Sequence, residues 1–305
     1  MQTTLKHPIT ISGKGLHSGK PAHLRLLPAS AEYGIWFRRV DILDRDNLIP
    51  ALYDFVNDTQ LCTRLANEAG VEVSTVEHLM AALAGTGVHN VLVEIDGPEI
   101  PIMDGSSDPF VSAILKAGTV EQAAPVRAIR VLKPVQVEIE GARASLSPAD
   151  HLEIDFAIDF DEPAIGQQEK SLKMANGAFV RELSDCRTFC RRRDVDMMQS
   201  AGLALGGGLE NAIVVDGSEV VNPEGFRRAD ECVRHKMLDA LGDLYLAGAP
   251  IIGRYEGTRA GHRTTNLLLR ELFSRPDAWE MIVCDEAQAE TLPGAHITSM
   301  DMVRA

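Results

Sequence analysis

Apolar and polar residues alternate with period two near residues 5 to 12, 22 to 28 and 34 to 39, which predicts strands there. "STVEHLMAAL" at 74 to 83 abandons that alternation and predicts a helix, and "NVLVEI" returns to strand, closed by the Asp96-Gly97 turn. "EIPIMDGSSDPF" carries prolines and a glycine that forbid a helix until Ser107 or Asp108 caps a segment running to about Leu115. "GTVEQAAPVR" interrupts the pattern and places a domain boundary within about 118 to 127, dividing the chain into 1–122 and 123–305. The second part repeats the grammar. "RVLKPVQVEIEG" and "HLEIDFAIDF" read as strands, "NGAFVREL" as a helix capped by Asn176, and "ENAIVVDG" as a strand ending in Asp-Gly. A long helix over roughly 224 to 247 and a final strand in "GRYEGTRAGH" precede a closing helix from about Thr264. Both parts therefore mix strands, often antiparallel by their short turns, with about two helices each, an α+β pattern without short repeats or low-complexity tracts.

The length of 305 residues suits two domains, and 45% apolar with 24% charged residues supports a full core in each. A net charge of −14 disfavours nucleic acid as a bulk partner, although a local cationic cluster can still hold a small phosphorylated ligand. The five cysteines, at 62, 186, 190, 232 and 284, are too few for a disulfide scaffold and are expected to be reduced thiols in a cytoplasmic protein. The opening "MQTTLKHPITISGKG" has no apolar core of a signal peptide, and no window approaches 18 apolar residues, so neither export nor a membrane span is expected.

Two stretches carry candidate chemistry. In "STVEHLMAAL", Ser74 followed three residues later by Glu77 fits a capping box, which by itself leaves His78 as a packed histidine. In "RHKMLDALGDLY", His235, Asp239 and Asp243 fall within about 80° of one helix face, with Val233, Met237, Leu241 and Leu244 mostly opposite. An amphipathic helix with its polar face in water explains that stripe, except that Asp239 and Asp243 form a like-charge pair costing a few tenths of a kcal/mol unless a cation is near. A metal held by His235 and Asp239 supplies the cation, and His78, 157 residues upstream, is the candidate third ligand, which puts the site at the domain interface. Two imidazoles and one carboxylate leave Zn²⁺ an open position for water, the pattern of a catalytic site, and Fe²⁺ accepts the same donors. Glu77 then becomes a general base, a role in competition with the cap, because a carboxylate folded back onto Ser74 cannot face a metal.

With these two stretches, "EIPIMDGSSDPFV", "RTF" and the Gly-His of "AGHRTTN", the chain resembles the UDP-3-O-acyl-N-acetylglucosamine deacetylase family, zinc amidases of lipid A biosynthesis. The similarity runs from "GKGLHSGKPAHLRLLPA" to "AGH". It implies two similar domains, each a small mostly antiparallel sheet with two helices, the helices sandwiched between the two sheets. It implies His78, His235 and Asp239 as zinc ligands, Glu77 as general base, His262 as the second acid–base residue, Asp243 as the acid orienting it, and Thr188 as a hydroxyl supporting the tetrahedral intermediate. Lys236, Phe189, Phe160 and Asp194 match substrate-binding positions, and Leu16, in the "GKGLHSG" hairpin, lies toward the acyl passage. The implied substrate is acylated UDP-GlcNAc, met by a monomer in the cytoplasm with at most transient contact between the Arg191 to Arg193 run and a membrane surface. A related metal amidase acting on another N-acyl compound is the alternative reading; a non-catalytic binding homologue would lack a ligand or the base, and none is missing. Three departures stand out: Cys190 and Arg191 replace a Gly-aromatic pair, "RTTN" replaces a sequence with two consecutive asparagines, and Glu162 stands where a histidine is common.

Overall fold

A computed structural model of the chain describes residues 1–297 and residue 301. The architecture is α+β, with several sheets and packed helices. A five-stranded sheet runs in the order Ile9–Lys14, Pro21–Pro28, Val91–Ile95, Ile35–Arg39, Leu48–Pro50, antiparallel except where Val91–Ile95 meets Ile35–Arg39. Its alternation is the one read from the sequence: Ala22, Leu24 and Leu26 are buried while their neighbours on the other face are not. A seven-stranded sheet joins Val135–Ile139, Ala142–Ser147, Ile251–Thr258, Arg127–Val131 and Trp279–Val283, with Leu152–Asp159 and Gln167–Lys173 branching from Ile251–Thr258. Among the described residues, three small sheets complete the strands, and one pairs Thr3–Leu5 with Thr119–Glu121.

The helices are α1 (Glu77–Gly85), α2 (Asp108–Ala117), α3 (Ala178–Glu182), α4 (Arg192–Ser200), α5 (Glu231–Tyr245), α6 (His262–Ser274) and α7 (Glu286–Glu290). All nine residues of α1 are buried, the polar Glu77 and His78 included; each Leu or Met among them contributes about 1.5–3 kcal/mol by leaving water. Every residue of α5 except Lys236 is buried as well. The face that carries His235, Asp239 and Asp243 therefore does not meet water, contrary to the amphipathic reading. It is enclosed because α5 packs against α1, α6 and the strands Leu152–Asp159 and Gln167–Lys173.

Several local expectations are corrected. The predicted strand over 5 to 12 is two strands, split around the bend before Pro8. No capping box forms at Ser74, which ends the strand Glu72–Ser74 with its N–H donating to Pro98 O at 2.9 Å. Asn176 caps nothing, because it and Gly177 both have left-handed φ, 52° and 72°, whereas an N-cap is extended. The long helix starts at Glu231 rather than near 224: Gly225 is left-handed, and Glu224 is drawn to Arg187 at 2.6 Å. Residues 262 to 274 do not close the chain, since Trp279–Val283 pairs antiparallel with Arg127–Val131 and α7 follows, opened by a capping box of Asp285 and Gln288. The strand Gln167–Lys173 and helix α4 escape sequence reading because neither has an apolar face; the strand is an edge, paired only to Leu152–Asp159. All described cysteines are free thiols, and no helix among the described residues is long and apolar enough to cross a membrane.

Gly242 sets how closely α1 and α5 approach. A methyl group there would fall on the Glu77 carbonyl, which is backbone and cannot rotate away. Alanine normally favours a helix over glycine by about 1 kcal/mol, but overpacking costs about 1–3 kcal/mol, and at a backbone contact the second effect wins. Gly242→Ala is expected to lower the thermal unfolding midpoint by about 2–6 °C in a circular dichroism melt. An unchanged or raised midpoint would show that the helices can part without cost.

Candidate metal centre and the residues around it

Glu77 and His78 open α1, and His235, Asp239 and Asp243 occupy successive turns of α5, so the contact between these helices brings the two stretches together. His78, His235 and Asp239, all buried, each offer a ligand atom within 4.8 Å of the others. Asp239 Oδ1 lies 3.5 Å from His78 Nε2 and 3.4 Å from His235 Nε2. The imidazole rings meet edge to face, with centroids 5.0 Å apart. His235 Nδ1 is 3.0 Å from the Cys186 carbonyl, which fixes the tautomer with its proton there and leaves the Nε2 lone pair toward the triad. Burial pushes the His235 imidazole down to about 4, against the pull of Asp239, so it is neutral and able to coordinate.

The donor set fits a divalent ion. Tetrahedral bonds of about 2.0–2.1 Å put neighbouring ligand atoms about 3.3–3.4 Å apart, close to the two separations found. Asp239 Oδ1 is buried without a hydrogen-bond partner in the described residues, an expensive state for a carboxylate oxygen unless a cation meets it. Burial alone would raise the Asp239 carboxyl, but His235 and Lys236 outweigh it and hold the acid well below its usual range, so it is anionic.

A second group flanks the triad. Glu77 Oε2 accepts from the Thr63 N–H at 3.0 Å, and Oε1 lies 3.8 Å from His262 Nε2. The carboxylate is thus turned away from Ser74, which removes the cap. Burial raises the Glu77 carboxyl, opposed by the nearby His262 and His78. His262 opens α6, and its Nδ1 is 2.8 Å from Asp243 Oδ2, while Asp243 Oδ1 accepts from the Thr63 hydroxyl at 2.6 Å. Burial by itself would lower His262, but Asp243 and Glu77 outweigh it and bring it up to about 9. Thr63 is the residue that sequence reading missed. It orients both acids from an irregular segment, and neither spacing nor periodicity marks it.

The remaining predicted residues divide. Thr188 is half-buried beside Phe189, its N–H donating to Gly105 O at 2.8 Å. Phe189 stacks edge-on against His235 and Phe160, at 6.3 and 5.4 Å between centroids. Lys236 Nζ donates to Asp239 Oδ2 at 2.7 Å, and Lys236 and Phe160 line a cavity of about 280 Å³ beside the centre. The Leu16 carbonyl accepts from Gly206 N–H at 2.9 Å, and the Asp194 carboxylate is held by Arg191, which lines the same cavity as Lys236 and Phe160.

A buried two-histidine, one-carboxylate triad with a carboxylate and a carboxylate-paired histidine at its side has the donors and the proton-transfer groups that a metal-dependent hydrolase needs. The model of the family described as LpxC, UDP-3-O-acyl N-acetylglycosamine deacetylase, matches residues 2–274. Proteins bearing the name UDP-3-O-acyl-N-acetylglucosamine deacetylase are similar over almost the whole chain. That of Phenylobacterium zucineum is 50% identical over 291 residues, covering 95% of this chain and 99% of the relative. That of Idiomarina loihiensis is 49% identical over 290 residues, 94% of each, and that of Haemophilus influenzae strain PittGG 45% over 304, 99% of each. The chain belongs to the UDP-3-O-acyl N-acetylglycosamine deacetylase family.

Two outcomes are expected. Metal analysis of purified protein should give one divalent ion per chain, lost on His78→Ala; full occupancy in that variant would remove His78 from the ligand set. In metal-free protein, NMR titration should place His262 near 9, and Asp243→Asn should lower that value. Because His262 is raised above its unfolded value of 6.5, its contribution to stability is complete below pH 6.5 and is lost as pH rises through about 9.

Proposed function

We propose that the site hydrolyses the acetamide at position 2 of UDP-3-O-acyl-N-acetylglucosamine, releasing acetate and leaving a free amine, a step of lipid A biosynthesis. One observation carries the reading: three candidate ligands, a base and a paired histidine converge on one buried point although they come from three separate helices. His78, His235 and Asp239 would hold Zn²⁺, with Fe²⁺ suited to the same donors. The ion, when bound, supplies Lewis acidity to the carbonyl and to water.

The chain's own residues do the proton work. Glu77, raised by burial and with Oε1 not engaged by Thr63, takes a proton from the attacking water as general base. His262, kept protonated by Asp243, donates toward the developing oxyanion and then to the departing amine. The hydroxyl of Thr188 adds a donor for the same oxyanion, a contribution usually worth about 10²–10³ in turnover. Phe160, Phe189 and Lys236 form the wall on which the nucleotide sugar lies, Asp194 takes a sugar hydroxyl, and Leu16 lies on the acyl side. That no sheet among the described residues pairs strands from both sides of residue 122 supports the division into domains 1–122 and 123–305, with the site between them.

Purified protein is expected to release acetate from the acylated UDP-GlcNAc, and much less from the non-acylated sugar. Equal turnover of the two would favour an amidase acting on other N-acyl compounds. Glu77→Ala should keep the metal and lose at least about a hundredfold in kcat; near-normal turnover would return Glu77 to a structural role.

A further inference from the structure

Three cations, Lys236, Arg259 and Arg191, line the cavity beside the centre, and each has a carboxylate attached. Asp239 takes Lys236, Asp159 takes Arg259, and Asp194 takes Arg191 through Nε at 2.5 Å. Arg191 differs in which edge it leaves over: Arg259 is held through Nη2, whereas Arg191 is held through Nε. With Nε engaged, its two terminal nitrogens have no hydrogen-bond partner among the described residues, and the side chain remains 32% exposed. A guanidinium fixed at one edge presents the other as a planar pair of N–H donors, the geometry that matches two phosphate oxygens.

Arg191 is also backed by an acid from another part of the chain. Glu162, only 7% exposed, has Oε1 at 3.9 Å from Arg191 Nε and 3.1 Å from Arg193 Nη2, and its Oε2 is buried without a hydrogen-bond partner among the described residues. A carboxylate so poorly hydrated depends on its cations, and they in turn are drawn toward the cavity wall. The same loop carries Phe160 and Asp161, both in that wall. Glu162 lies on a different segment from Arg191 and Arg193, and in space the three form one ion-paired unit. In a chain of net charge −14, an anionic ligand depends on such a local concentration of positive charge.

We infer that Arg191 is a specificity-determining residue that grips the diphosphate of the nucleotide sugar, with Glu162 and Arg193 as positioning residues that hold its guanidinium at the cavity wall. The inference rests on the deacetylase reading for the identity of the nucleotide sugar. Isothermal titration with UDP and with uridine, together with steady-state kinetics, tests it in wild type, Arg191→Phe, Arg191→Lys and Glu162→His. Arg191→Phe should weaken UDP about tenfold or more while leaving uridine within about twofold, and should raise KM with kcat largely retained. Arg191→Lys should recover part of the UDP affinity, and Glu162→His should lose it in the same direction but less. Adding Glu162→His to Arg191→Phe should cost little more, because both act through one contact. Equal weakening of UDP and uridine, or unchanged UDP binding, would overturn the inference; should Arg191→Phe fail to fold, Arg191→Gln gives the same comparison. Wild-type binding of UDP without acetate release overturns only the deacetylase reading, and acetate release with an Arg191→Phe variant indistinguishable from wild type overturns only the role of Arg191.

Discussion

The close crossing of α1 and α5 is the constraint on which the rest depends. Gly242 lets the backbone of one helix touch the first turn of the other, and only at that separation do the imidazole of His78 and the side chains of His235 and Asp239 reach a common point. The crossing is stabilised by apolar burial along both helices, with Leu79, Met80, Leu83, Met237 and Leu238 fully enclosed. That same burial strips water from the polar stripe of α5. Packing energy thus maintains a cluster of ionisable groups that would be costly in isolation.

Their protonation states follow from which neighbour each one has. His235 is buried and is kept neutral mainly by that burial, although a carboxylate lies nearby. His262 is enclosed too, yet Asp243 and Glu77 overcome the desolvation and keep it charged. Two histidines on neighbouring helices are therefore driven to opposite states, one fit to coordinate and the other to donate a proton. The distinction comes from geometry of about 3 Å and cannot be read from residue type.

How much was legible in the sequence follows from this. Strands with clean alternation, such as Pro21–Pro28 and Leu152–Asp159, and the helices around His78 and His235 were visible because burial imposes a period on the chain. The triad was visible through two features, an i, i+4 pair on α5 and the His78 that did not belong in an apolar run. What stayed hidden depended on distant partners. Gln167–Lys173 is a strand only because a neighbour supplies its hydrogen bonds, Glu77 leaves Ser74 only because Thr63 N–H is better placed, and the start of α5 is set by the bond between Glu224 and Arg187. The pairing of Glu162 with Arg191 and Arg193 was likewise hidden, because it joins two separate segments of the chain.

Thr63 joins the two acids through different atoms, its backbone to Glu77 and its hydroxyl to Asp243. Any displacement of the loop that carries it is felt at both carboxylates together, so Glu77 and the group that charges His262 cannot be tuned one at a time from that side. A backbone change at Thr63 is therefore expected to shift both carboxylates in concert, and, because the Thr63 carbonyl also accepts from Val76 N–H at the start of α1, to be felt at the helix that carries His78.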